Sequence, residues 1–162
     1  MRARIPLLFF GILLVGLLFA LGCSSESDGG TGPNQVSRQV KLTAARARWE
    51  GAGIDDYVWT VRRGCFCHVD FNRPALIRVE NGIKTSVTDI QTGEPVDESS
   101  WQFYPTVEEL FGVIQAAIDR GAYQLDTSYH SGLGYPHEVY IDQARQMVDE
   151  EQTYEGSGLQ PE

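Results

Sequence analysis

Two rhythms of apolar and polar positions run along this chain, and the places where one gives way to the other mark its elements. Leu42, Ala45 and Trp49 recur at helical spacing after Ser37, and Gly51 and Gly53 close the stretch, which predicts a first helix capped by Ser37. Its other side carries Arg38, Lys41, Arg46 and Arg48, the composition of a solvated face. The rhythm then changes to period two: Tyr57, Trp59 and Val61 share one side of a strand. Residues 75–79 and 83–87 predict a hairpin turning at Asn81-Gly82. A three-residue loop, Glu80-Asn81-Gly82, sets Val79 against Ile83 and Ile77 against Thr85, keeping apolar residues on one face. Residues 88–104 are rich in turn formers and read as loop.

The strongest local signal follows. Thr106 and Glu109 form a T-x-x-E capping box, Leu110, Phe111, Ile114, Ala117 and Ile118 make one stripe, and Gly121 stops the helix. Tyr123 to Tyr129 and Glu138 to Asp142 predict a second hairpin around the reversal Ser131-Gly132-Leu133-Gly134-Tyr135-Pro136, and Asp149 to Tyr154 a short edge strand. Helices that alternate with turn-linked strands indicate an α+β fold: an antiparallel sheet of four to five strands packed on one face by two helices.

The N-terminus follows neither rhythm. A basic head (Arg2, Arg4) precedes an apolar run from Ile5 to Ala20, broken by Pro6, Gly11 and Gly16, too short for a membrane span but laid out like a secretory signal. It ends at Ala20-Leu21-Gly22-Cys23, which resembles the cleavage box of bacterial lipoproteins, with Ala20 where those boxes usually carry Leu. The resemblance makes Cys23 the lipidated N-terminus of the mature chain. It places the protein in a cell envelope, held to a membrane by lipid, on the outer membrane where the host has two. The organisation is then a signal over 1–22, a Gly/Ser-rich tether over 23–36, one α+β domain over 37–155 and a disordered tail over 156–162.

Among 162 residues, 13 are basic and 22 acidic, a formal charge of −9 that sets the chain against nucleic-acid backbones as partners. No phosphate-binding loop, dinucleotide fingerprint, zinc-protease motif or nucleophile elbow occurs, and the acids Asp142, Asp149, Glu150 and Glu151 lack the spacing of a calcium loop. No catalytic constellation is readable, and no cofactor is called for. Chemistry concentrates instead in Cys65-Phe66-Cys67-His68. With Cys23 committed to lipid, Cys65 and Cys67 are left to pair, and Gly64 lets the chain bend to close so small a ring. A local structural disulfide is the leading assignment. A redox pair, free thiols, or a metal site completed by His68, His130 and His137 are the alternatives. The loop of Gly132, Gly134, Tyr135 and Pro136 is a candidate binding surface.

The lipoprotein-like start, the Tyr-x-Trp strand leading into Cys65-x-Cys67, the helix opening Thr106-Val-Glu-Glu-Leu-Phe111, the Gly134-Tyr135-Pro136 loop and Ile141-Asp142 before Asp149-Glu150-Glu151 together resemble an uncharacterised family of bacterial lipoproteins, a domain of unknown function. That resemblance supplies no reaction. The expectation is a non-enzymatic binding or accessory domain for an envelope protein, a peptide or the cell wall, with a thiol-redox or zinc module on Cys65, Cys67 and His68 as the alternative.

Overall fold

The computed structural model describes residues 33–162; the expected signal, the expected lipidation site Cys23 and most of the expected tether lie outside the described residues. Six antiparallel strands form one sheet: β1 (Tyr57–Cys65), β2 (Ala75–Glu80), β3 (Ile83–Asp89), β4 (Gln124–Tyr129), β5 (Pro136–Asp142) and β6 (Gln152–Pro161), in the spatial order β3-β2-β1-β6-β5-β4. Two α-helices, α1 (Pro33–Ala52) and α2 (Val107–Asp119), and two 3-10 helices, at Val69–Asn72 and Glu98–Phe103, complete the domain. The α+β class and the antiparallel sheet stand as read; the strand number was too low.

The extra strand length is at the C-terminus. Residues 152–161 are neither a short edge strand nor a disordered tail, because β6 lies between β1 and β5 and pairs with both. Its Gly-Ser-Gly run is a consequence of that position. Gly156 is where the ring of Trp59 and the carbonyl of Pro136 crowd the backbone, so that a Cβ there would collide with the ring. Gly158 has φ +63°, and there the β1–β6 register shifts by one residue: Val58 pairs with Gln160 but Thr60 with Ser157. A left-handed glycine at a bulge is how a strand absorbs one extra residue.

The β2–β3 hairpin corrects the expected register. Asn81 and Gly82 both have positive φ, the hallmark of a two-residue turn matched to strand twist, and Glu80 pairs with Ile83 and Val79 with Lys84. A bulge at Thr85 then changes the phase, so that Ile77 meets Val87 on the core side. Lys84 holds the position opposite Val79 because its stem is buried while its Nζ donates to the Trp101 carbonyl at 3.0 Å and pairs with Glu109 at 2.8 Å.

One face of the sheet is the core. Tyr57, Trp59, Val61, Ile77, Val79, Val87, Leu125, Val139, Ile141 and Tyr154 are buried there, against Leu42, Ala45 and Trp49 of α1 and Leu110, Phe111, Ile114, Ala117 and Ile118 of α2. The capping box of α2 is formed, the Thr106 hydroxyl accepting from the Glu109 amide and Glu109 from the Thr106 amide. The first helix begins at Pro33, four residues before the expected cap at Ser37 and inside the expected tether. Proline suits a first helical position, and the early turns are held from outside. Gln35 donates to the Ile118 carbonyl at 2.8 Å and Arg38 to the Ala122 carbonyl at 2.9 Å, tying the start of α1 to the last turn of α2 and the residues that follow it.

Phe111 is 2% exposed, and its truncation to Ala should cost about 3–5 kcal/mol in urea denaturation, whereas Asp119→Ala on the exposed side of α2 should be close to neutral. Equal losses at the two positions would refute this placement of the helix.

Candidate functional site

The β1–β6 ladder ends at Cys65, which pairs with Gln152, and the chain leaves the sheet there. Gly64, one residue earlier, faces the Thr153 hydroxyl so closely that a Cβ there would require the Thr153 side chain to turn away. Cys65 and Cys67 then close on each other as a disulfide across a single residue, their Cα atoms 5.2 Å apart. The ring is clamped from one side. Asn72, the last residue of the first 3-10 helix, accepts from the Cys65 amide at 3.0 Å through Oδ1 and donates to the Cys65 carbonyl at 3.3 Å. The same Oδ1 lies 3.5 Å from the Cys65 sulfur and 3.6 Å from that of Cys67. Phe66, at the apex, is 79% exposed.

Beside the ring opens a cleft of about 380 Å³. Arg63, Ile141, Gln143 and Gln152 contribute from the strands and the residue that follows β5, Val113 and Arg120 from α2 and its cap, and Met147 with Asp149, Glu150 and Glu151 from the β5–β6 connection. Arg63 continues the core-facing series Tyr57, Trp59, Val61, so a charge appears where the packed core ends. Its guanidinium lies 5.2 Å from the Phe103 ring centroid and donates to Gln152 at 3.3 Å, while its Nε and the Gln143 side-chain oxygen are buried without a partner. The β5–β6 connection is tied back by Glu150, which accepts from the Ala144 amide at 2.6 Å. Met147 and Val148, on that connection, are 51% and 81% exposed.

A family of unknown function, DUF6174, matches residues 41–161. The chain belongs to that family. It matches no curated protein and no solved structure. In this DUF6174 domain the matched residues take in all six strands, α2 and most of α1, and the cleft lies wholly within them.

The structure separates the other candidate residues. His68 caps the 3-10 helix and lies 3.0 Å from Asp70, which also binds Arg73 at 2.9 Å. His130 stacks on Tyr135 with 4.8 Å between ring centroids and accepts from the Leu133 amide. His137 stands at the start of β5, four residues from Ile141, the residue in register with Gln152 and so with Cys65; that is about 13 Å along a strand. Among the described residues no group of three or more His, Cys, Asp and Glu could hold a metal ion. The Gly132–Pro136 loop is also misplaced as a binding surface. Pro136 and Tyr135 are buried, Tyr135 meets Trp49 edge-on at 6.2 Å, and Gly134 rests on the Ala45 carbonyl of α1; only Gly132 is exposed. The loop is packing.

Two further polar clusters are structural. Glu108, in the first turn of α2, accepts from the Trp49 indole and the Tyr57 hydroxyl, each at 2.8 Å; burial and that carboxylate together push the Tyr57 phenol far up, so it stays a neutral donor. Asp89 accepts from the Gln91 amide at 2.7 Å and the Thr92 amide at 3.3 Å, with Arg73 at 3.4 Å, and these hold its carboxyl below the usual range, the Gln91 bond foremost.

A depressed folded value means that the native state binds fewer protons in the acid range. The stability Asp89 contributes is therefore complete above its unfolded pKa, about 3.9, and is lost as pH falls through the lower folded value. Urea midpoints measured from about pH 5 to about pH 2 should show the gap between wild type and Asp89→Asn closing toward acid. A constant gap would mean that the contacts of Asp89 do not depend on its charge.

Proposed function

We propose that this chain is a lipid-anchored protein of a bacterial envelope whose folded domain is a non-enzymatic binding module, with a protein or peptide segment docking at the Cys65–Cys67 end. What carries the reading is Phe66: a large apolar side chain, 79% exposed, fixed at the apex of a covalent ring instead of a loose loop. A contact residue held in place before binding loses little entropy when it is covered. Met147 lines the same cleft, and Val148 follows it, so exposed apolar groups from two separate connections converge at one end of the sheet. The acids Asp149, Glu150 and Glu151 flank them, favouring a partner segment that brings positive charge to an apolar anchor. The anchor rests on Cys23 standing where the N-terminal apolar run stops, with a polar tether between it and α1.

Two measurements separate the parts of this reading. A photo-crosslinking amino acid at position 66 or 147, introduced in the cells that make the protein, should yield the same discrete adduct from both sites and none from position 119 on α2. Labelling without preference among the three would remove the docking end. Cys23→Ser should move the protein from the detergent phase to the aqueous phase; unchanged partitioning would remove the anchor.

A further inference from the structure

We infer that Cys65 and Cys67 form a thiol–disulfide exchange site, at which the domain accepts two electrons from a dithiol protein. The bond has little structural duty. It closes a loop of three residues, so it removes little freedom from the unfolded chain, and neither sulfur belongs to the buried core. The two sulfurs differ in access. Cys67 is exposed, outside the sheet, whereas Cys65 is half-buried, paired with Gln152 and held through its backbone by Asn72. The decisive feature is the Asn72 oxygen, 3.5 and 3.6 Å from the two sulfurs. A disulfide has no proton to give it; two thiols do. The fold thus holds an acceptor ready for the reduced state, attached to a side chain already fixed by its bonds to Cys65.

The step balances as follows. A thiolate of the incoming dithiol attacks the exposed Cys67 sulfur, the Cys65–Cys67 bond breaks, and its electron pair leaves on the Cys65 sulfur, which takes up a proton and donates it to Asn72. The second thiolate of the donor then attacks the donor sulfur of the mixed disulfide. Cys67 is released and protonated, and the donor departs as a disulfide. Two electrons and two protons have moved, and the domain has been reduced stoichiometrically, as a recipient and not a catalyst. The inference stands apart from the docking reading: exchange can fail while crosslinking at position 66 persists, and the reverse.

The full chain carrying Cys23→Ser, with Cys65 and Cys67 as its only cysteines, is the material for the test. Millimolar dithiothreitol should expose two titratable thiols while the cooperative urea transition is retained, and glutathione disulfide should restore the bond. Next, Cys67 left alone by Cys65→Ser should form its mixed disulfide with glutathione disulfide at least about tenfold faster than Cys65 left alone by Cys67→Ser. Thiols that appear only at urea concentrations that unfold the domain, or loss of the transition on reduction, would overturn the inference. Equal rates at the two single cysteines would overturn the assignment of Cys67 as the point of attack. If either single variant does not fold, the reduction measurement on the two-cysteine chain decides alone.

Discussion

The fold turns on the pairing of its first strand with its last. The strands β1–β3 and β4–β6 are each a local meander, and each could form from neighbours in sequence. They become one sheet only where Tyr57–Cys65 and Gln152–Pro161 run side by side, a ladder that spans nearly the whole domain in sequence. The last residue takes part as well, its amide bonding to the Asp56 carbonyl while its carboxylate pairs with Arg78. Closing so long a loop costs entropy before any contact repays it, which makes this pairing the step that commits the chain to its fold.

That same ladder places the candidate site. On the core side of β1 the series Tyr57, Trp59, Val61 fills the space under the helices, and at Arg63 and Cys65 the filling stops. Beyond this last rung the backbone has no strand partner for its polar groups, and the Asn72 side chain supplies what a neighbouring strand would have given Cys65. The ring, its exposed Phe66 and the β5–β6 connection are therefore fixed to the most tightly held part of the sheet while remaining outside the core. A contact surface gains from such a base, since a rigid support keeps its geometry when the partner is absent.

What could be read from the sequence was what local rules control. The second helix has a capping box, a stripe and a stop glycine, and all of these appear in the structure because each is settled within one turn of chain. Features settled by distant partners were not legible. The Gly-Ser-Gly run of β6 carries no alternation and little strand preference; it is a strand because β1 and β5 hold it on both sides, and Gly156 is there for the ring of Trp59. The hairpin register depended on a bulge at Thr85 and on Lys84 finding Trp101 and Glu109. At the site, the two cysteines stood out by type alone, whereas Asn72 and Met147 joined them only through folding. Arg63 left one trace: a charge on the core side of an otherwise apolar alternation, which marks where a core opens into a cleft.

Native-state amide hydrogen exchange of the full chain tests the role of the β1–β6 pairing most directly. Amides of β6 that bond to β1 and β5 should be among the slowest in the protein, exchanging only with global unfolding and at the same free energy as the central amides of β1. Fast exchange across residues 152–161, alongside protected strands β1 and β2, would contradict the account, because the C-terminal segment would then be a tail and not the centre of the sheet.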